Sequence, residues 1–141
     1  MAKNPFVGTW RLVTYEVRSS DGQVSYPLGK DAAGYILYAE DGYMSVAFMQ
    51  SNRPKFAAKT LGEGSTGEKA AATDTYQSYC GKYEVQGEMV IHHVEVSLFP
   101  NLFGVDLKRT FTFDGNRLTL SPRPSLVDGK EQASHLIWER V

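Results

Sequence analysis

Two residues able to do acid–base or anion chemistry stand on strand faces that are otherwise apolar. His92 alternates with Val90, Val94, Val96 and Leu98, and Arg109 alternates with Val105, Leu107, Phe111 and Phe113. Alternate residues of a strand share a face, so both side chains are expected on the apolar side of their strands. An imidazole titrates closest to neutral pH and is the natural acid or base of such a site. A guanidinium offers a rigid fork of donors that suits a carboxylate, and when buried it needs a partner. No Asp or Glu falls on the inner faces expected for these strands. The partner of Arg109 therefore comes from elsewhere, such as Glu139, or from a ligand. In an enzyme, His92 and Arg109 would be the catalytic pair. The same two residues also have plain structural roles, as a hydrogen-bonded core histidine and as an arginine reaching water at a barrel mouth.

Hairpin arithmetic places these residues. If Gln86-Gly87 is a two-residue turn, Tyr83 and Val85 share a face with Val90, His92 and Val94. If Asp114-Gly115 is another, Phe111 and Phe113 join Leu118 and Leu120. Glu84, Ile91, His93, Glu95, Asp106, Lys108, Thr110 and Thr112 then form the face expected toward solvent. Registers that keep these faces put Arg109 across from His92 or Val94. A shift of one residue would instead bring His93 inside, while His135, alternating with Leu136 and Trp138, lies outside. A two-residue turn at Asp41-Gly42 pairs Leu37 with Val46 and makes Tyr35, Leu37, Met44, Val46 and Phe48 the core face. Tyr38 and Tyr43 remain as pocket residues on that hairpin, since tyrosine rings combine apolar area with a hydroxyl. The full expected ligand-binding set is Tyr35, Tyr38, Tyr43, Met44, Tyr83, His92, Arg109, Phe111 and Trp138.

The elements that must carry these residues are marked by regular punctuation. Asp-Gly recurs at Asp21-Gly22, Asp41-Gly42, Asp114-Gly115 and Asp128-Gly129. Such dipeptides favour tight hairpin turns. Between them lie strand-like runs, including Thr9–Arg18, Tyr35–Ala39, Tyr43–Met49, Lys82–Val85, Met89–Phe99, Val105–Phe113, Arg117–Ser121 and Ala133–Arg140. Aromatic residues make up 12% of the chain, a bias that suits a pleated surface. The pattern predicts an all-β fold, a single antiparallel up-and-down barrel of about eight strands spanning residues 1–141 as one domain. One segment departs from it. Ser65 and Glu68 have capping-box spacing ahead of an alanine run, which predicts one helix over Gly67–Tyr79, capping or plugging an open end.

Composition removes several classes of function. The net charge is -1, with no Lys/Arg stripe, which argues against a nucleic-acid partner. No window reaches the ~20 apolar residues of a membrane span. No apolar leader is evident, so a cytoplasmic protein is expected. The lone Cys80 has no partner thiol and is expected to be inert. Nucleotide-loop, zinc-ligand and nucleophile-elbow patterns are missing, so no cofactor and no metal are expected. Edge strands of an imperfectly closed barrel would give a route to a homodimer.

The sequence resembles a family. Gly8-Thr9-Trp10-Arg11-Leu12-Val13 looks like the Gly-x-Trp opening of lipocalin-type barrels. Tyr26-Pro27-Leu28-Gly29, Gly34 to Tyr38, Asp41 to Ser45, Tyr83-Glu84-Val85, His92 to Glu95, Ser97 to Asn101, Gly104, Arg109 and Trp138-Glu139-Arg140 resemble, in order, the bacterial and fungal lipocalin-like domain proteins. Leu102 stands where that family often has a tryptophan, with Phe103 next to it. The resemblance implies a barrel holding a small hydrophobic or aromatic molecule with a polar or anionic group. It also implies an alternative, a cofactor-free cyclase or isomerase acting on a polyketide- or terpenoid-like intermediate of natural-product biosynthesis. A haem carrier using His92 is the third reading.

Overall fold

The computed structural model describes residues 4–122, 125–127 and 129–141. Ten strands follow in chain order: β1 (Gly8–Ser19), β2 (Val24–Ser25), β3 (Ala33–Tyr38), β4 (Tyr43–Met49), β5 (Tyr76–Gln86), β6 (Met89–Ser97), β7 (Asp106–Asp114), β8 (Arg117–Ser121), β9 (Ser125–Val127) and β10 (Lys130–Arg140). One helix, α1 (Thr66–Asp74), precedes β5. The strands run β1-β3-β4-β5-β6-β7-β8-β10, and β10 pairs back onto β1 to close an eight-stranded antiparallel barrel. β2 and β9 are short attachments to β1 and β10. Every strand of the ring has two neighbours, while β2 and β9 each pair on one side only. Among the described residues no helix is long and apolar enough to cross a membrane. The turn expected at Asp128-Gly129 falls partly on Asp128, outside the described residues.

The hairpins correct the expected registers in an instructive way. Gly87 and Gly115 have φ near 59° while Glu88 and Asn116 are not left-handed. A glycine alone at the first central position makes a type II′ turn, so the loops are Gly87-Glu88 and Gly115-Asn116. Val85 therefore pairs with Val90, and Phe113 with Leu118. Two-residue turns at Gln86-Gly87 and Asp114-Gly115 would instead set Val85 against Glu88 and Phe113 against Asn116, so each pairing moves by two positions, which leaves the faces unchanged. The β3–β4 hairpin behaves differently. Ala39 N–H donates to the Tyr43 carbonyl at 2.8 Å, leaving a three-residue loop with Gly42 at φ 91°. Tyr38 now pairs with Met44 and Leu37 with Ser45. That odd displacement turns one strand over. Ile36 and Tyr38 are buried beside Met44 and Val46, whereas Tyr35 and Leu37 face outward at 49% and 46% exposure. Tyr43 is outward as well.

Two bulges adjust the interior further. In β6 the pairing jumps between Cys80↔Val96 and Gly81↔Val94, leaving Glu95 as the extra residue. Val96, expected inside, is thereby turned out. Ile91, expected toward solvent, is buried at 4% exposure. Gly81 permits the close approach, because a Cβ there would sit 1.9 Å from the His93 carbonyl oxygen. In β1 the shift between Leu12 and Thr14 sends Tyr15 inward after Trp10 and Leu12.

The helix carries the expected capping box, with Glu68 N–H donating to Ser65 Oγ at 3.1 Å and Ser65 N–H to Glu68 Oε1 at 2.9 Å. It ends at Asp74, five residues before the expected Tyr79, and has no buried residue. β-branched Thr75 caps the helix and the aromatic Tyr76 begins β5, residue types that favour strand over helix. Thr73 and Asp74 border a depression at the barrel mouth with Leu28, Phe99 and Pro100. The helix lies beside that end without plugging it.

The opposite end is dry. Phe6 is 1% exposed and stacks edge-on against Tyr38, Phe111 and Phe113 with centroids 5.1, 4.8 and 5.0 Å away. Trp10 Nε1 donates to the Phe6 carbonyl at 2.9 Å. Arg140 lies over the Trp10 ring at 4.2 Å and donates to the carbonyls of Val7 and Pro5. The segment before β1 is thus tied down as a lid. Phe6→Ala is expected to lower unfolding free energy by about 3–5 kcal/mol, the usual cost of emptying an aromatic site in a core. Urea denaturation checks it, and a loss under about 1 kcal/mol would show that the lid is dispensable.

Candidate functional site

Between the dry end and the mouth lies a cavity of about 290 Å³. Ile36, Val46, Leu107, Leu120, Leu136 and Trp138 supply its apolar walls, and Phe99 and Leu102 reach it from the β6–β7 connection. The polar lining is Tyr15, Gln77, Tyr79, His92, Arg109 and Ser134. A few polar groups among apolar walls is the usual make-up of a small-molecule site. The volume is at the small end of the ~300–1,000 Å³ range of such sites, a size for one substituted aromatic ring.

His92 is 1% exposed on β6. Its Nε2 lies 2.7 Å from the Tyr38 hydroxyl and its Nδ1 lies 2.7 Å from the Tyr79 hydroxyl. Burial, reinforced by the nearby Arg109 charge and by His93, pushes its pKa down to about 3. The ring is therefore neutral at ordinary pH. Burial raises Tyr79 to about 12, although the charge of Arg109 pulls in the opposite direction. Burial also raises Tyr38 and Tyr15, so each of these hydroxyls keeps its proton. Arg109 acts on all four groups, which places its charge centrally. No carboxylate among the described residues forms an ion pair with it. The indole N–H of Trp138 is buried without a partner among the described residues.

The placement of the expected residues divides them into three groups. His92, Arg109 and Trp138 line the cavity together. Arg109 pairs with Val90, and Leu107 with His92, so Arg109 stands diagonally from His92 rather than across from it. The short 3-10 turn at Pro100–Leu102 and Gly104 sets this register. Tyr38, Met44, Tyr83 and Phe111 are inside but belong to the packed end. Tyr83 Oη donates to the Ala39 carbonyl and accepts from Asn4, which occupies it structurally. Tyr38 reaches the site only through His92. Tyr35 and Tyr43 are on the outer face, for the odd-register reason given above, and cannot line the cavity. Glu139 pairs with Arg11 and Arg117 on the outer face and is exposed, so it is no partner for Arg109. His93 is also outside, held between Asp106 at 2.7 Å and Glu84 at 2.8 Å, which raise its pKa. His135 meets Ser121 at 2.9 Å on the outer face.

Tyr79, Tyr15, Gln77 and Ser134 were not apparent from the sequence. Tyr79 was hidden by its assignment to the helix. The spacing Gln77, Tyr79, Gly81, Tyr83 is a period-two signal that would have placed it inside a strand. Tyr15 depends on the β1 bulge, which breaks the alternation that begins at Trp10.

A family model described as a lipocalin-like domain matches residues 7–141. The chain is 31% identical over 107 residues to the 4'-hydroxy-3'-methoxypropiophenone carrier protein ppsC of Aspergillus oryzae, covering 70% of this chain and 96% of that protein. Among solved structures, an uncharacterized protein from Bacteroides eggerthii DSM 20697 aligns with a TM-score of 0.48 and 12% identity, covering 96% of this chain and 99% of that one.

The neutral, buried His92 has a measurable consequence. An unfolded histidine takes up a proton as pH falls through its ordinary value of 6.5, while folded His92 does not until about 3. The unfolded state therefore binds more protons in that window, and stability falls with falling pH by up to roughly 1.4 kcal/mol per unit. Between about pH 5 and 6.5, above the carboxylate range, His92→Gln should flatten this slope. Denaturation at several pH values tests it, and an unchanged slope would show that His92 is not held neutral.

Proposed function

The chain belongs to the lipocalin-like domain family, and from that premise we propose that its barrel carries a small aromatic or hydrophobic molecule bearing a polar or anionic group. The observation that carries this reading is Arg109. Its guanidinium lines a cavity with apolar walls, with no carboxylate ion pair among the described residues. Arg109 is half-buried, and its hydrogen bond among the described residues is a long one to the Lys108 carbonyl at 3.4 Å, so a ligand oxygen in the cavity would give the guanidinium a charge-assisted partner. The volume admits one substituted ring. The similarity to a carrier of an aryl ketone favours the same general class of cargo here.

Catalysis by a cyclase or isomerase mechanism is less well supported by the geometry. Both ring nitrogens of His92 are hydrogen-bonded to tyrosines, so no lone pair is aimed at a substrate. The same occupancy removes the axial nitrogen that a haem carrier would need.

Titration with 4'-hydroxy-3'-methoxypropiophenone, followed by tryptophan fluorescence or calorimetry, tests the carrier reading. Saturable one-to-one binding without turnover is expected. Arg109→Ala should weaken it about tenfold, in line with a lost hydrogen bond from a charged group, with Arg109→Lys falling between. Conversion of the ligand would favour the enzyme reading. Binding untouched by Arg109→Ala would overturn the assignment of Arg109 as the anchor.

A further inference from the structure

The hydroxyl of Tyr38 is the point from which a direction can be set. Tyr38 is 2% exposed, and its hydroxyl has one hydrogen-bond partner among the described residues, Nε2 of His92. If Nε2 carried the ring proton, it would donate to Tyr38 and leave the tyrosine's own proton buried with nothing to accept it. That arrangement is penalised by the full cost of desolvating the group. Tyr38 therefore donates and Nε2 accepts. A neutral imidazole has one proton, which then resides on Nδ1 and is donated to Oη of Tyr79, 2.7 Å away. The oxygen of Tyr79 thus accepts from His92, and its own proton is left to point away from that ring, into the cavity that Tyr79 lines.

We propose that Tyr38, His92 and Tyr79 form a one-way hydrogen-bond relay that fixes Tyr79 Oη as a donor, so that Tyr79 and Arg109 together select ligands whose polar end is a bare acceptor oxygen, such as an aryl ketone, a phenolate or a carboxylate. This rests on the carrier reading and sharpens it. Tyr79 is the specificity-determining contact, and Tyr38 is a positioning residue acting through His92. Without Tyr38 the ring proton is free to move to Nε2. Tyr79 would then turn its own proton toward Nδ1 and present lone pairs to the ligand.

The test compares propiophenone with propylbenzene, which share a ring and chain length but differ in the carbonyl. Tyr79→Phe is expected to lower the ketone-to-alkane affinity ratio about tenfold while leaving propylbenzene binding within about twofold. Tyr38→Phe should lower the same ratio although Tyr38 lies outside the cavity lining. An independent readout needs no substitution in the measured protein. Nitrogen-15 NMR of the histidine-labelled wild type should show His92 protonated on Nδ1, the less common tautomer, with the signal assigned by its loss in His92→Gln. A proton on Nε2 would overturn the relay. So would a ratio unchanged in Tyr79→Phe, and in that case binding of both compounds leaves the cavity reading standing. Binding of neither compound overturns the relay and the cavity reading together.

Discussion

The pairing of β1 with β10 turns a sheet into a container. It runs from Trp10↔Arg140 to Ser19↔Gln132. Once the ring closes, every inward side chain shares one limited space and every inward polar group must find a partner there. Closure also removes the long unpaired edges that an open sheet of this size would present. The bulge at Val13 is part of the same constraint, because it brings Tyr15 to the cavity wall after Trp10 and Leu12 have served the core.

The two ends of the barrel then divide the work. Phe6, Trp10, Tyr83 and Arg140 seal one end through stacking and hydrogen bonds to the chain before β1. The aromatic rings nearest that end are consumed by packing. Toward the mouth the walls stay apolar, but the polar residues converge. Tyr38 stands at the boundary, packed against Phe6 on one side and bonded to His92 on the other. The low dielectric that the seal provides is what holds His92 neutral and keeps the tyrosines protonated. The seal therefore reaches the chemistry of the cavity although none of its residues touches that space.

Electrostatics give the cavity a single sign. Arg109 adds to the burial that depresses His92 and pulls down Tyr15, Tyr38 and Tyr79, so it is felt by each titratable group around the cavity. His93, one residue along β6, sits in the opposite environment between Asp106 and Glu84. The adjacent histidines are separated by the strand itself, one in a dry positive interior and one on a wet negative surface. Their pKa values move in opposite directions for that reason.

Much of this architecture was legible in the sequence because local chemistry sets it. The turn glycines, the alternation of apolar residues and the Ser65–Glu68 box are short-range signals, and they located most strands, the start of the helix and the inward faces of His92 and Arg109. The hairpins at Gly87 and Gly115 were displaced by two, an error that alternation forgives. The hairpin at Gly42 was displaced by one, which reversed Tyr35 and Tyr38. What the sequence by itself determined was the barrel and the presence of a histidine and an arginine inside it. Only the tertiary structure decided that Tyr79 joins them, that Tyr83 and Phe111 belong to the seal, and that Arg109 sits diagonally from His92. Those outcomes depend on loop lengths, on bulges at Val13 and Glu95, and on which end of the barrel the chain folds over. Tyr79 left a local trace in the period-two spacing of Gln77, Tyr79, Gly81 and Tyr83; the other outcomes are contests between distant segments for the same interior space, which no local pattern encodes.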